Sequence, residues 1–198
     1  PSSCLFDEFS LDWTYSFSPE SQTLAIAYNI TGIDYEGDIT VGGFYVNDNN
    51  LYSCGGSTIV PNDPQPYSVL SLFPDDSYTD EKDGFEDGED IIFIILYNGI
   101  EYIANPIFAN QDGFVNDNLF QSNGYGLVEE LQVINPVQFG CTDFNYYEFN
   151  PDANLDDNTC IVLSSYGCTD PLADNYNQEA NINQVSFEDV SNPCYYLG

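Results

Sequence analysis

Lys82 is the only side chain in these 198 residues able to carry a positive charge at neutral pH, against 33 Asp and Glu, which leaves a formal net charge of −32. Self-repulsion on that scale opposes compaction and assembly until salt or multivalent cations neutralise it. The chain is nevertheless no disordered acidic tail. Its residues are 42% apolar and 16% aromatic, enough to bury an ordinary core.

The charge excludes several function classes. A polyanion without Lys or Arg series repels phosphate backbones and displaces no counterions, so no nucleic acid is expected as a partner. Anionic membranes are disfavoured on the same ground, and no apolar run approaches the length of a membrane helix, so no membrane insertion is expected. With no His in the chain, Ser-His-Asp and Cys-His catalysis cannot be assembled. With a single Lys and no Arg, phosphoryl transfer lacks its usual charge stabilisers. Glycoside hydrolysis needs a carboxylate pair, and no pair stands out among the many acids. The expectation is a protein that is not an enzyme.

As far as Ile134 the chain reads as β-strands. Leu11, Trp13, Tyr15 and Phe17 alternate with polar residues, and Leu24, Ile26, Tyr28 and Ile30 repeat that two-residue period, placing one face on a core. Phe44-Tyr45-Val46 and Leu51-Tyr52-Ser53 flank Asn47-Asp48-Asn49-Asn50, the pattern of a hairpin. Ile91 to Tyr97 is a continuous apolar run, expected for a central strand buried on both faces. Asn98-Gly99 then signals a type I′ turn into Ile100-Glu101-Tyr102-Ile103. Gly126 to Ile134 is expected to be the last strand. The rhythm of Asp, Asn, Gly and Pro between strands predicts an all-β fold, an antiparallel β-sandwich with a barrel as the alternative.

Asn135-Pro136 marks a boundary, giving a β-domain over 1–135. Beyond it Gly140-Cys141-Thr142-Asp143 recurs as Gly167-Cys168-Thr169-Asp170, and Pro151-Asp152-Ala153-Asn154 is answered by Gln178-Glu179-Ala180-Asn181. Two small, loop-rich repeats are expected, over 136–164 and 165–198. The simplest cysteine pairing is Cys141–Cys160 and Cys168–Cys194, leaving Cys4 with Cys54 inside the β-domain. Units this short bury too little apolar surface to fold alone, and a disulfide closing a loop of this size stabilises by roughly 3 kcal/mol. The cysteines, with no Met and a start at Pro1-Ser2-Ser3-Cys4, predict an exported chain whose leader has been removed. The terminal Gly198 is in phase to open a further repeat, so truncation before another unit is also expected.

These repeats resemble the Gly-Cys-Thr-Asp-x-x-Ala-x-Asn-Tyr…Asp-Asp-Gly-Ser-Cys units found in tandem in exported proteins of marine Bacteroidota and some marine viruses, which are similar to thrombospondin type 3 calcium repeats. The second copy carries Pro171, Ala173, Asn175, Tyr176 and Ala180 of that pattern; the first keeps Ala153, Asp156, Asp157 and Cys160 but departs at Phe144 and Tyr146. The β-domain resembles a module common beside such repeats, through Gly37-Asp38-Ile39, Gly43-Phe44-Tyr45-Val46 and Asp83-Gly84-Phe85. The resemblance implies a β-sandwich on a secreted surface protein, with calcium as the bound ion.

Two stretches carry candidate calcium ligands. Asp75, Asp76, Asp83, Asp87 and Glu89 lie in a loop so dense in acids that it would splay without a cation, with Gly84 and Gly88 allowing tight turns. In the first repeat Asp143, Asp152, Asn154, Asp156 and Asp157 space oxygen ligands as in the first half of an EF-hand loop, but without its central Gly or distal Glu. The competing reading of those residues is turn chemistry, side chain bonded to backbone. That reading is preferred in the second repeat, where Asp170, Asp174, Asn175, Glu179 and Asn181 make a poorer set. Asn29-Ile30-Thr31 is a glycosylation sequon inside an expected strand. Trp13 is expected in a core, and Tyr146-Tyr147 and Tyr195-Tyr196 in contacts between modules or subunits. The expected function is a structural or adhesive extracellular module of a cell surface, filament or virion appendage, which self-associates or joins neighbouring subunits. The alternative is a carbohydrate-binding module of a larger secreted protein, with glycans as partners.

Overall fold

Strand β6, Ile92–Tyr97, is an interior strand of the sheet in the computed structural model, which describes residues 10–61, 67–76 and 78–197. Phe93, Ile94 and Ile95 are at most 1% exposed, so both faces of this strand are covered, as its unbroken apolar run requires. Asn98 and Gly99 take positive φ (51° and 77°) and reverse the chain into β7, Ile100–Phe108, with Tyr97 opposite Ile100. On its other side β6 pairs with β3, Ile39–Val46, which forms a hairpin with β4, Tyr52–Val60. The carboxamide oxygen of Asn47 accepts the Asn49 and Leu51 amides to build the expected turn.

The remaining strands are β1 (Gln22–Ala27), β2 (Ile30–Thr31), β5 (Tyr67–Leu72) and β8 (Tyr125–Pro136). The order is β4-β3-β6-β7-β8-β1-β5, with β2 also on β8; pairings are antiparallel except those of β8 with β1 and β2. No helix occurs among the described residues. The all-β architecture expected from the sequence is therefore present, and the layers expected of a sandwich are opposite walls of one sheet curled almost into a barrel. Gly55 and Gly56 let the two ends approach: Phe73 N donates to Gly55 O at 2.9 Å, and a Cβ on Gly56 would lie 1.9 Å from Ser71 O.

Inside the curl lie Leu24, Ile26, Val41, Leu70, Leu72, Phe93, Ile95, Val128 and Leu131. Phe85 and Phe120, carried on loops, stack at 4.9 Å and join the same cluster. Burying side chains of this size contributes about 1.5–3 kcal/mol each.

A second apolar layer forms around Phe44, where residues 10–17 cross as an extended strap. The alternation of Leu11, Trp13 and Tyr15 is real, but no ladder pairs the segment. Trp13 meets Phe44 edge-on at 5.0 Å and lies over Gly42, where a Cβ would come within 2.7 Å of the indole. The Glu101 carboxylate accepts the Leu11 amide at 3.2 Å and the Trp13 indole N–H at 2.8 Å, replacing the strand partner. Cys54 is buried, with a free thiol. Cys4, its expected partner, lies outside the described residues.

The chain divides into two compact units, Pro1–Val137 and Gln138–Gly198. Strand β8 carries the first unit just past Asn135, to Pro136.

Replacing Glu101 with Ala strands two N–H donors. It is expected to cost about 1.5–3 kcal/mol and to red-shift the emission of Trp13, the only tryptophan. A variant with unchanged melting and emission would refute the clasp.

Candidate cation sites and the disulfide repeats

The acidic loop is built by backbone before its carboxylates are placed. Phe85 N donates to Phe73 O and Asp75 N to Phe85 O, drawing the two sides of the loop together. Gly84 permits this approach, since a Cβ there would lie 2.3 Å from the Pro74 carbonyl carbon. The carboxylates then turn to separate partners. Asp75 Oδ1 accepts Asp83 N at 2.8 Å, Asp76 Oδ1 accepts Tyr78 N at 2.7 Å, and Asp87 Oδ1 accepts Ser122 N at 2.6 Å. Glu89 accepts the Glu86 amide through Oε2 and meets Lys82 Nζ at 2.7 Å through Oε1. Among the described residues, no three carboxylates of this loop bring oxygens within 4.8 Å of one another. The carboxylates of Asp75, Asp76, Asp87 and Glu89 are thus held by separate partners, and with Asp83 they form no group of three among the described residues.

Lys82 also donates to Val46 O at 2.8 Å and sits 5.4 Å from the centre of the Tyr45 ring. Beside it a cavity of about 290 Å³ is walled by the strap at Asp12 and Tyr15, by Tyr45, Ser53 and Cys54 of the β3–β4 hairpin, and by Asp83. Burial pushes the Tyr45 phenol up to about 12, against the lowering effect of Ser53, with the charges of Asp83 and Asp75 adding to the rise. Burial likewise pushes the Cys54 thiol up to about 11, opposed by a hydrogen bond from Gly56 and reinforced by Asp12. A thiol at that value is inert at neutral pH.

The disulfides Cys141–Cys160 and Cys168–Cys194 are present, as their spacing predicts. Around them the two repeats reproduce each other bond for bond. Asn150 N donates to Cys141 O and Asn177 N to Cys168 O; Gly140 N donates to Leu155 O and Gly167 N to Ile182 O. Gly140 and Gly167 share φ near +156° (156° and 157°), and a Cβ on either would lie 3.0 Å from the side-chain Nδ2 of Asn150 or Asn177 and close to Ala153 or Ala180. The Gly, Asn and Ala of the repeat are therefore one contact.

The repeat's acids serve its turns. Asp143 Oδ1 accepts Asn145 N as Asp170 Oδ1 accepts Leu172 N, both at 2.9 Å. Asn154 Oδ1 takes the Gln138 amide as Asn181 Oδ1 takes that of Ser165, both at 2.8 Å. Asp156 Oδ2 accepts both the amide and the hydroxyl of Thr142, and Asp157 Oδ1 accepts Thr159 N. Asp152 is exposed. Asp143, Asn154, Asp156 and Asp157 thus each place one side-chain oxygen on a backbone amide, as turn chemistry requires.

Cys141, Asp156 and Cys160 do place ligand-type atoms within 4.8 Å of one another. Both sulfurs are tied in the disulfide, so no thiolate is available to a metal. Asp156 Oδ2 lies 3.4 Å from Cys160 Sγ, and Asn183 Oδ1 lies 3.2 Å from Cys194 Sγ in the other repeat. An oxygen beside the disulfide is a feature of the repeat that a neutral amide also supplies.

Sequence patterning assigned no role to Asn183 or Phe187 and gave Lys82 a charge but no site. Asn183 stands 27 residues after Asp156, the offset of the two Gly-Cys-Thr-Asp motifs, so its column was open to reading, whereas Phe187 lies in the insertion before Cys194. No family model, no curated protein and no solved structure matches this chain.

Burial pulls the Asp156 pKa upward, but the Thr142 and Asn158 amides and the Thr142 hydroxyl outweigh it and hold the carboxyl below its ordinary 3.8. Its contribution is then complete above that ordinary value and disappears as pH falls through the lower folded value. Amide exchange at Thr142 and Asn158, corrected for intrinsic rates, is expected to accelerate on that acid limb. Thr169, bonded to the neutral Asn183, should not respond; identical behaviour of Thr142 and Thr169 would refute the assignment.

Proposed function

We propose that the chain is a non-enzymatic extracellular structural or adhesive module, in which the β-unit is a rigid body and the repeats form a stiff spacer within a surface or fibre assembly. The observation that carries this reading is the way one repeat hands over to the next. After Cys160 the chain lies back on the first repeat, with Tyr147 N donating to Val162 O and Ser164 N to Asn145 O. Its next residue, Ser165, is already the amide that Asn181 caps in the second repeat. Asn181 Nδ2 also reaches back to Leu163 O at 2.9 Å, and Phe187 packs on Phe144 and Phe149 at 5.5 and 5.9 Å. No residue is left over as a flexible joint, which is what a spacer needs and a hinge does not.

Two disulfides agree with an oxidising, extracellular setting. No helix among the described residues is long and apolar enough to cross a membrane. Calcium enters through the net charge of −32, which divalent ions relieve more effectively than sodium. The likeness to tandem repeats of exported marine proteins points the same way.

Glycan binding is a second reading, favoured by one feature. Ile33 to Glu36 and Tyr97 surround an open depression in which the Tyr35 and Tyr97 rings stand 6.3 Å apart beside Asp34 and Glu36. Aromatic faces with flanking carboxylates are the groups that hold a sugar ring.

Limited proteolysis of the full chain tests the spacer. Cleavage between residues 161 and 166 should be slow in the native protein and accelerate severalfold in Phe187→Ala with both disulfides intact; ready cleavage of the native chain there would sink the reading. Calcium is tested separately, by melting at low ionic strength. Millimolar calcium is expected to raise the transition of the charge-burdened chain by several degrees, and indifference to both calcium and chelator removes the ion from the proposal.

A further inference from the structure

The cavity between the strap and the acidic loop is independent of the spacer and has its own chemistry. We infer that it is a binding site for an organic cation, an alkylammonium or alkylguanidinium group such as the end of a Lys or Arg side chain supplied by another protein.

The walls select for this class. Asp12 and Asp83 bring two carboxylates to one cavity, while Tyr15 and Tyr45 bring aromatic rings and Ser53 a hydroxyl. Lys82 also lines the cavity, but its ammonium is paired with Glu89 at 2.7 Å and donates to Val46 O at 2.8 Å, so its charge is matched by Glu89 and the two carboxylates of Asp12 and Asp83 remain in excess. That same ammonium lies 5.4 Å from the centre of the Tyr45 ring, so this corner of the fold already accommodates a cation against an aromatic face. The negative field reaches the cavity wall: Asp83 and Asp12 each oppose ionisation of a wall residue, Tyr45 and Cys54 respectively.

Size and ligand count separate an organic cation from the alternatives. A volume of about 290 Å³ lies at the lower edge of small-molecule pockets and suits a single side-chain end better than an extended glycan. Calcium wants six to eight oxygens, several of them anionic. Asp12 and Asp83 belong to no group of three ligand-type atoms within 4.8 Å among the described residues. A diffuse cation with an apolar stem uses two separated carboxylates and a ring, where a compact divalent ion does not. The occupant must also come from outside these 198 residues, since Lys82 is their only cationic side chain.

The test is calorimetric titration of the full chain at moderate ionic strength with three probes. These are n-butylammonium, n-butylguanidinium, and a short peptide carrying one Lys beside its acetyl-lysine counterpart. Saturable one-to-one binding is expected for the charged probes and none for acetyl-lysine. Tighter binding of the peptide than of the free amines identifies a protein side chain as the source; equal binding identifies a free amine. Asp12→Asn and Asp83→Asn should each weaken binding about tenfold, whereas Glu179→Gln, which removes one exposed charge in the other unit, should leave it unchanged. Far-UV circular dichroism and Trp13 emission verify that the variants keep the strap in place. Equal weakening by all three variants would reduce the effect to general attraction by a polyanion and overturn the proposal. Stoichiometric displacement of the amines by calcium, lost in Asp12→Asn, would overturn it in favour of a metal site.

Discussion

Carboxylates without cations are the constraint on which the rest of this structure depends. With one ammonium group in the chain, charge pairing is closed to nearly every acid, and backbone N–H groups take the place of lysines and arginines. Asp75, Asp76, Asp87, Asp143, Asp156 and Asp170 each accept a main-chain amide, and Glu89 and Glu101 each accept more than one N–H. A hydrogen bond to an ionised acceptor is worth roughly 1.5–3 kcal/mol, more than a neutral one. Such bonds also need no ordered long side chain on the donor's part. The acids of this chain are therefore architectural: they fix loops and the strap, and the loops in turn cap the core through Phe85 and Phe120.

That dependence explains why so little regular structure suffices. The loop holding Phe85 contains no ladder, yet Phe85 is 1% exposed. It stays there because Asp75 receives the Asp83 amide and Gly84 passes close to Pro74. Residues 10–17 are likewise an extended segment held by one carboxylate and one indole.

The sequence shows its strands where packing is periodic and conceals them where it is not. The run Ile91 to Tyr97 and the Asn98-Gly99 turn announce β6 and β7, because burial on both faces and positive φ each admit few residue types. The repeats were legible for the same reason: Gly140, Asn150 and Ala153 touch, so none can vary alone. The curl of the sheet was not legible. It depends on Gly55 and Gly56 meeting the main chain of β5, a contact between segments that no local pattern encodes. The parallel pairing of β1 with β8 is hidden likewise, being a matter of long-range order. Among the candidate ligands the residue types were informative and their geometry was not. Asp and Asn at alternate positions suit a calcium loop and an Asx turn equally, and only the positions of Thr142, Asn145, Gln138 and Thr159 show how far the turns account for them.

The two repeats also separate what their shape needs from what their charge does. Where the first places Asp156 beside its disulfide and under the Thr142 amide, the second places Asn183 beside Cys194 Sγ and under the Thr169 amide. An acceptor is required at that position; a charge is not. The same holds at Glu148 and Asn175, which receive the amides of the segment leaving each disulfide, Val162 in one case and Tyr195 in the other. A fold that accepts carboxylate and carboxamide interchangeably at two of its joints needs an oxygen acceptor there, not a full negative charge. On the proposed reading, calcium acts on the accumulated charge of the spacer and on how closely neighbouring chains can approach, while the path of the backbone is set by disulfide, glycine and amide.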